Sequence, residues 1–471
     1  MTRTAGLALL FWAALGPGIA IAQEAQPPAA PTASPSQHEA DVEELREEVR
    51  QLREEVNAQQ ADKIRLPAPS SIPKPLGYEA FWPWVTPPDG LSVSGYLQSQ
   101  YQYNDSSQDQ LSQSGTLLNQ DRFTIRRARV QLAGEWQYAA MAVELDANTN
   151  NGPQVDLRKA EASLQYRPRH LRPPMIMATL GMFDVPFGYE LVESPRTRWF
   201  TERSVASQAF FPTEPDLGLR LAGALDWFRW TIAVTNGYPA GVNFGLQDPS
   251  SSKDVVFRFG FDTTPLKDLN LAGDVSALRG KGFHPGTPAT KASIQWVDYN
   301  ESGVVVPSEL VGVPGEAATP SQLFDHWAVG ANLRMHTRWW PGILKIYGEV
   351  VLAQNLDRGL YVADPITTQL DQREFGWYVA ALQEVLTYGM VGLRYEYYDP
   401  NANVFDTRGG KLLPFSEAIT NISPLVGLTL PDRARLLFQY DINTNAFARS
   451  AEGVPTNLQN NSWTVRLQVQ L

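Results

Sequence analysis

The chain has 471 residues, no cysteine and a formal net charge of −11 at pH 7. The lack of cysteine excludes disulfide bonds and thiolate metal sites, and the five histidines are scattered without the paired spacing of zinc ligands. The acidic balance and the absence of a basic field argue against nucleic-acid binding. We therefore expect no metal, no cofactor and no nucleic-acid partner.

The first 22 residues have the features of a secretory signal peptide. Arg3 precedes an apolar run over residues 7–15, and the Ala-Ile-Ala triplet at residues 20–22 fits the small-residue rule for cleavage. Gly-Pro-Gly at residues 16–18 interrupts this run before it reaches the ~20 apolar residues that a membrane helix needs. An anchoring helix is therefore the weaker interpretation.

A short amphipathic helix is predicted over residues 41–62, between a Pro/Ala-rich linker (23–40) and a proline-rich linker (63–90). Its apolar side chains recur at alternating spacings of three and four, which is typical of a coiled coil: Val42, Leu45, Val49, Leu52 and Val56. About two and a half heptads are too few for stability in isolation. The segment should form a coiled coil only where other contacts gather the chains; the alternative is a solitary charged helix.

From residue 91 onward the sequence alternates between apolar and polar residues, the period that a β-strand imposes. In one stretch, apolar Val130 and Leu132 alternate with Arg129 and Gln131. The same alternation predicts sixteen strands, at residues 91–103, 121–134, 138–147, 156–166, 176–184, 217–226, 227–236, 253–262, 269–278, 324–335, 343–354, 373–384, 388–398, 418–429, 433–443 and 461–471.

The connections between these strands alternate in length. Those after the even-numbered strands are mostly a few residues, whereas those after the odd-numbered strands are long: 104–120, 148–155, 185–216, 237–252, 279–323, 355–372, 399–417 and 444–460. A strand-like stretch at 289–299 would make the count odd, so it is assigned to the loop 279–323. This asymmetry is typical of bacterial outer-membrane barrels. The predicted fold is thus all-β, a sixteen-stranded antiparallel transmembrane β-barrel over residues 91–471, preceded by a short periplasmic coiled-coil helix.

Aromatic residues gather at the short turns of the predicted barrel, where a girdle at the membrane interface is expected: Trp136, Tyr138, Trp227, Trp230, Trp339 and Trp340. A soluble sugar-binding β-sandwich is the alternative explanation for clustered tryptophans. It leaves the alternation of loop lengths unexplained.

Several short motifs between residues 91 and 260 occur in a characteristic order. They are Ile125-Arg126-Arg127-Ala128-Arg129 running into Gly134, Glu161-Ala162-Ser163, Leu180-Gly181-Met182-Phe183, Pro186-Phe187-Gly188-Tyr189-Glu190, Glu202-Arg203 and Thr235-Asn236-Gly237. Together they resemble the phosphate-selective porins O and P of Gram-negative outer membranes. The resemblance implies a homotrimer of sixteen-stranded barrels in the outer membrane, with the N-terminal arm in the periplasm and the long third loop folded inward to narrow each pore.

The resemblance also implies residues at the constriction. Those that match the family pattern are Arg126 and Arg127 (the double arginine), Ser194, Arg196 and Arg203. Four other positions depart from it: the family's lysine falls on Leu191, its second serine on Pro195, an aspartate on Ala160 and an arginine on Tyr96. We therefore expect a porin scaffold without phosphate selectivity.

Cationic side chains are expected to line the pore and attract small anionic or polar solutes, because low-dielectric walls focus the field of fixed charges. Alternation places Arg127, Arg129, Lys159, Arg220 and Arg258 on the lumen face, and Arg196, Arg198 and Arg203 lie in the third loop. They predict passive diffusion with an anion preference. The alternative is that they pair with lumen acids such as Glu144, Asp146 and Glu161 and only stiffen the wall.

Arg126 would face lipid by strict alternation, where an arginine costs about 2–4 kcal/mol at mid-membrane. Either Arg126 lies near a membrane edge, or a β-bulge near Arg126-Arg127 turns both side chains inward. We predict the bulge.

Two other classes of function remain to be weighed. An outer-membrane enzyme would need a nucleophile beside a positioned histidine, and none of the five histidines falls on a strand face beside a serine and an acid. Catalysis is therefore not expected. A non-conducting barrel that acts as an adhesin or cell-envelope tether through its N-terminal arm is the alternative to a porin.

Overall fold

The structure is a computed structural model. It describes residue 50 and residues 90–105, 121–150, 152–168, 173–237, 248–403, 405–408, 411–414, 418–430, 434–446, 448–449, 455–458 and 460–471. The chain divides into two compact units, residues 1–69 and 70–471. All of the strands described below belong to the second unit. The predicted signal peptide, linkers and coiled coil lie outside the described residues, apart from Arg50, which is helical, and Gly90, where the first strand begins.

The described residues form 22 strands. In chain order these are β1 (Gly90–Asn104), β2 (Arg122–Glu135), β3 (Ala139–Asn148), β4 (Gln154–Tyr166), β5 (Ile176–Asp184), β6 (Pro215–Leu225), β7 (Phe228–Thr235), β8 (Asp254–Leu266), β9 (Leu269–His284), β10 (Ser293–Trp296), β11 (Leu310–Val313), β12 (Gln322–Trp339), β13 (Gly342–Gln354), β14 (Arg373–Val385), β15 (Gly389–Asp399), β16 (Phe405–Arg408), β17 (Lys411–Pro414), β18 (Ile419–Leu430), β19 (Ala434–Thr444), β20 (Ala448–Arg449), β21 (Pro455–Thr456) and β22 (Ser462–Gln470).

Sixteen of these strands form one closed antiparallel barrel: β1–β9, β12–β15, β18, β19 and β22. The barrel closes where β1 pairs with β22, with Tyr96 opposite Gln470. These strands coincide with the sixteen predicted ones to within a few residues at each end. The predicted fold class is therefore confirmed for the described part of the chain.

The remaining strands form small two-stranded sheets in the long connections: β10 with β11, β16 with β17, and β20 with β21. The strand-like stretch at 289–299 contains β10, so its assignment to a loop is confirmed. The bounds of that loop were wrong, because β9 continues to His284 and β12 begins at Gln322.

The barrel has an apolar outside and a polar inside. In the last strand, Leu467 and Val469 are each 47% exposed, whereas Arg466 and Gln468 are each 2% exposed. A water-soluble sheet buries its apolar face; this barrel does the reverse, as expected of strands surrounded by lipid. Of the aromatic residues at the turns, Trp340 is the most exposed at 87%.

Two short helices and a 3-10 turn lie in the long connections of the barrel. The helix α1 (Val205–Phe210) is capped by the hydroxyl of Ser204, α2 (Pro365–Thr368) is capped by the carboxylate of Asp364, and the turn spans Pro307–Glu309. None of the helices in the described ranges is both long and apolar enough to cross a membrane.

The third long connection, residues 185–214, lies inside the barrel and carries α1. We call it loop 3. Its apolar side chains, including Phe187 and Phe210, pack with inward-facing residues of the wall in one buried cluster. Ala206 of α1 lies so close to the wall that a Cβ on Gly376 would come within 2.4 Å of its methyl group. The inward course of loop 3 that the family resemblance implied is therefore observed.

A glycine permits the tightest approach of loop 3 to the opposite wall. Gly188 has a φ of +61°, and a Cβ there would collide with the carboxylate of Glu349 in β13. The Gly188 backbone N–H donates to Ser276 Oγ (3.1 Å), and that of Tyr189 donates to Glu349 Oε2 (3.1 Å). Only glycine takes up this left-handed conformation without steric cost. Gly188 therefore allows loop 3 to contact the wall at this point.

Candidate functional site

An irregularity in β2 determines which side chains face the interior. Along the β1–β2 pairing, Gln98 lies opposite Arg127 but Ser99 lies opposite Ile125, so Arg126 is an extra residue in the ladder. The bulge turns both arginines inward, and both reach the carboxylate of Glu202 in loop 3. The predicted bulge at Arg126-Arg127 is confirmed.

Three guanidinium groups surround the Glu202 carboxylate. Arg126 donates from Nε to Oε1 (2.7 Å) and from Nη2 to Oε2 (3.0 Å), Arg127 Nη2 donates to Oε2 (3.0 Å), and Arg466 Nη2 donates to Oε1 (2.8 Å). Glu202 lies in a loop that does not itself span the membrane. Burial alone would raise the pKa of its carboxyl, but the three arginines hold that pKa well below its usual range.

The Glu202 cluster lies at one end of a polar cavity of about 410 Å³. Loop 3 and six neighbouring strands, β1, β2, β15, β18, β19 and β22, form its walls. Among the lining residues are five arginines (Arg122, Arg126, Arg203, Arg394, Arg466) and three acids (Glu202, Glu396, Asp441). Amides and hydroxyls supply nearly all of the rest, including Gln100, Thr124, Asn421, Gln439, Asn443 and Thr464. The lining thus carries two more positive than negative charges and can hydrogen-bond polar solutes.

The cavity opens among the strand ends that lead into long connections. Gln102 lies near the end of β1 and Arg122 begins β2, while Asn443 and Ser462 flank the connection from β19 to β22. In an outer-membrane barrel the long connections face the cell exterior. The cavity therefore lies on the side of the barrel that carries the long connections, and loop 3 forms part of its lining.

The other cationic residues predicted on the barrel wall each contact an acid. Arg129 donates to Asp146 (2.8 Å) and Glu144 (3.1 Å). Lys159 Nζ lies 2.6 Å from an oxygen of Asp184.

The same holds for the two arginines of β6 and β8. Arg220 contacts Glu161 (2.7 Å), and Arg258 contacts Asp274 through two nitrogens at 2.9 and 2.7 Å. The alternative that wall cations pair with lumen acids, including Glu144, Asp146 and Glu161, describes Arg129, Lys159, Arg220 and Arg258.

Two predicted arginines of loop 3 are tied to the loop itself. Arg198 donates to the backbone carbonyls of Glu190 and Glu193, both at 2.9 Å, and Arg203 donates to that of Phe211 (2.7 Å). Both are buried, although Arg203 also borders the cavity. These guanidinium groups stabilise the fold of the loop.

The remaining predicted residues, Ser194 and Arg196, lie away from the cavity. The Ser194 hydroxyl accepts a hydrogen bond from the backbone N–H of Arg196 (3.3 Å). Arg196 in turn donates to the side chain of Gln470 (3.1 Å) and the carbonyl of Leu471 (3.1 Å), at the last strand of the barrel. Of the ten predicted residues, the structure therefore brings only Arg126, Arg127 and Arg203 to the cavity or to its carboxylate.

Sequence reasoning missed six charged side chains of the site: Arg122, Glu202, Arg394, Glu396, Asp441 and Arg466. Alternation in the last strand already placed Arg466 inside, so that signal was present. No strand period covers Glu202, because it lies in a loop. Its position near Arg126 follows only from the path of loop 3.

Arg394 of β15 also holds loop 3 in place. Its Nη1 donates to Glu190 Oε1 (3.2 Å) and to the backbone carbonyl of Glu202 (2.9 Å), and its guanidinium lies 4.6 Å from the ring centre of Phe200. Glu396 accepts a hydrogen bond from the backbone N–H of Val205 (2.7 Å). Loop 3 is thus bonded to β15 as well as to β2 and β22, and it narrows the interior.

The site is a cavity lined by charged and polar side chains. Among the residues that the structure describes, no group of three or more histidine, aspartate or glutamate side chains is placed to hold a metal ion. The geometry offers fixed charges, amides and hydroxyls around a cavity of about 410 Å³.

No family model matches the sequence, and no curated protein matches it. Solved structures do match. The outer membrane channel DcaP of Acinetobacter baumannii is 10% identical, with a TM-score of 0.50 over 81% of this chain and 97% of that one. The barrel therefore has the fold of an outer-membrane channel.

Two further matches have lower TM-scores. The anion-selective porin from Comamonas acidovorans and a trimer form of OmpT, an outer membrane protein of Vibrio cholerae, are each 11% identical, with TM-scores of 0.48 over 81% of this chain and 99% of theirs. At such low identity the likeness concerns the fold. Membership of the phosphate-selective porin family is not confirmed.

Proposed function

We infer that the protein is a porin of the Gram-negative outer membrane, which lets small polar and anionic solutes diffuse passively through a water-filled passage. The observation that carries this proposal is the polar cavity inside a closed barrel, with five arginines against three acids in its lining. Such a passage lowers the cost of removing water from a solute and requires no reaction. No catalytic step is part of the proposal.

The apolar outer surface of the barrel supports the proposal that lipid surrounds the barrel. A single arginine on that surface should test this. Val275, in the middle of β9, is 58% exposed and is flanked on the neighbouring strands by Phe259 and Ala331. Val275→Arg should lower the free energy of unfolding in bilayers by about 2–4 kcal/mol, because the charge lies at mid-membrane. Urea titration of protein folded into lipid vesicles measures this loss.

The matched control is Trp340→Arg, at the turn between β12 and β13. Trp340 lies at the membrane edge in the proposed orientation, where an arginine costs only about 0–1 kcal/mol. Equal destabilisation by both substitutions would contradict the membrane orientation.

The anion preference is proposed to be modest and not of the phosphate type. The position that carries a lysine in phosphate-selective porins is Leu191, which is 3% exposed and packs in the apolar cluster of loop 3. It offers no charge to a solute. The small excess of arginine in the cavity then acts on anions in general.

We further propose a homotrimer, as the family resemblance implies, with residues 41–62 in the periplasm. One matching structure, OmpT of Vibrio cholerae, is described as a trimer form. Light scattering of the detergent-solubilised complex tests the assembly, and a monomeric mass would contradict it.

Single-channel recording in planar bilayers tests the function. We expect stepwise ionic currents. In a KCl gradient, the reversal potential should have the sign of chloride-selective conduction, because the cavity lining has a net charge of about +2. When phosphate or a neutral sugar is added to the chloride solution, phosphate should not block the chloride current selectively. A reversal potential with the sign of potassium-selective conduction would exclude the anion preference but not the porin function.

The second candidate is a non-conducting barrel that serves as an adhesin or cell-envelope tether. The observation in its favour is the attachment of loop 3 both to β2 and β22, through Glu202, and to β13 and β15, through Glu349 and Arg394. The same recording separates the two, since a plugged barrel passes no current at any voltage.

A further inference from the structure

Three arginines and one carboxylate form an unbalanced group at one end of the cavity. Arg126 and Arg127 come from β2 and Arg466 from β22, so the positive charges are carried by the barrel wall. The carboxylate of Glu202 comes from loop 3. A site with three positive charges and one negative charge retains a net attraction for anions.

Two of the three arginines also have hydrogen-bond partners other than Glu202. Arg127 Nη1 donates to Gln98 Oε1 (3.2 Å), and Arg466 Nε donates to Gln100 Oε1 (2.9 Å). Because these amides belong to β1, the guanidinium groups of Arg127 and Arg466 are positioned by paired barrel strands, and Arg126 extends from the same strand as Arg127. Sites built on strands are more precise than sites built on loops.

Glu202 fills this site as a ligand would. Both carboxylate oxygens accept hydrogen bonds, four in all at 2.7–3.0 Å, and Arg126 grips them with a fork of two donors. Paired donors of this kind match the planar geometry of a carboxylate. Yet the side chain remains 29% exposed and borders the cavity, so a solute can reach the site that it occupies.

We propose that Arg126, Arg127 and Arg466 form a carboxylate-binding site of the passage, and that Glu202 is its tethered occupant, which a carboxylate-bearing solute displaces. This inference rests on the proposed porin function. The backbone on either side of Glu202 stays bound, through the Thr201 N–H to Gln439 Oε1 (2.9 Å) and the Glu202 carbonyl to Arg394 (2.9 Å). Only the glutamate side chain has to rotate away.

The test is block of the chloride current by acetate in planar bilayers, at constant ionic strength, with acetamide as the uncharged probe of the same size. Glu202→Gln keeps the shape of the side chain but removes the competing charge. A tethered group acts at an effective concentration in the millimolar range or above. The half-blocking acetate concentration should therefore fall about tenfold in Glu202→Gln, and acetamide should block neither protein.

The matched control is Glu214→Gln, which removes the same charge from the same loop. Glu214 also faces arginines, with Arg203 at 3.3 Å and Arg129 at 3.9 Å, but it does not border the cavity. We expect acetate block close to wild type in this control. Equal half-blocking concentrations in wild type and Glu202→Gln would overturn the proposal, as would an equal fall in both variants.

A second variant decides the matter if Glu202→Gln forms no channels. Arg466→Gln keeps Glu202 and removes one donor of the site, so the half-blocking acetate concentration should rise above that of the wild type. An unchanged or lower value overturns the proposal. Failure of the porin function is distinguishable, because the wild-type protein would then pass no current even without acetate.

Discussion

Asp274→Ala is expected to destabilise the barrel more than any other single substitution considered for its wall. The Asp274 carboxylate accepts from Arg258 (2.9 and 2.7 Å), Arg334 (3.3 Å) and Asn332 (2.6 Å), and both arginines are 1% exposed. Removing a negative charge that faces two buried guanidinium groups should cost about 3–5 kcal/mol. Equilibrium unfolding by urea in lipid vesicles measures the loss.

Two further variants make that result interpretable. Asp274→Asn keeps hydrogen-bonding capacity and should fall between wild type and Asp274→Ala. Asp325→Ala removes an acid from an exposed pair with Lys281, 3.8 Å apart with side chains 66% and 50% exposed, and should leave stability unchanged because exposed pairs contribute little. If Asp274→Ala unfolds at the same urea concentration as Asp325→Ala, the buried group does not stabilise the barrel.

Phe210→Ala is expected to loosen loop 3 and raise the conductance of the channel several-fold. Phe210 ends α1, is 1% exposed and meets the ring of Tyr398 edge-on, with 5.6 Å between ring centres. Truncating such a buried ring weakens packing by about 3–5 kcal/mol. Because loop 3 narrows the interior, a weaker seat should appear as larger and noisier unitary currents in planar bilayers.

Phe257→Ala serves as the matched control for that measurement. Phe257 lies on the outer face of β8 and is 42% exposed, so its loss should leave the unitary current unchanged. Identical currents from wild type and Phe210→Ala would show that loop 3 does not limit conduction.

The fold could be predicted from the sequence because lipid and water impose opposite demands on neighbouring residues. In the last strand, Leu467 and Val469 face outward and Arg466 and Gln468 inward, and such alternation is visible without any structure. The lengths of the connections supplied the topology. Both signals are local, so neither depends on how distant parts of the chain meet.

The site could be predicted only in part, since it is assembled by a loop and by irregular strands. Arg158 illustrates the difficulty: along the β3–β4 pairing it is the extra residue between Leu157 and Lys159, and its guanidinium contacts Asp184 (3.0 Å). Strict alternation would place it in lipid. The bulge at Arg126 was anticipated only because two arginines in succession made the cost of alternation apparent.

The contacts of loop 3 escaped prediction for a related reason, although the family resemblance implied its inward course. Its buried phenylalanines at positions 187 and 210 follow no strand period, and its acids find their partners on strands that lie far away in the sequence. Arg129, Lys159, Arg220 and Arg258 face the interior, as alternation predicts, but each lies against an acid. That they attract solutes stays a prediction. The charge that remains accessible to a solute is concentrated near Glu202.

The extra residue in β2 has a consequence for how this strand tolerates change in length. Upstream of it, Phe123 and Ile125 point outward and Thr124 inward, whereas Arg127 and Arg129 downstream point inward. Excising Arg126 would leave each of these side chains on its present face, since the ladder would then run without interruption. Losing any residue between Arg127 and Gly134 would instead swap inside for outside along part of the strand.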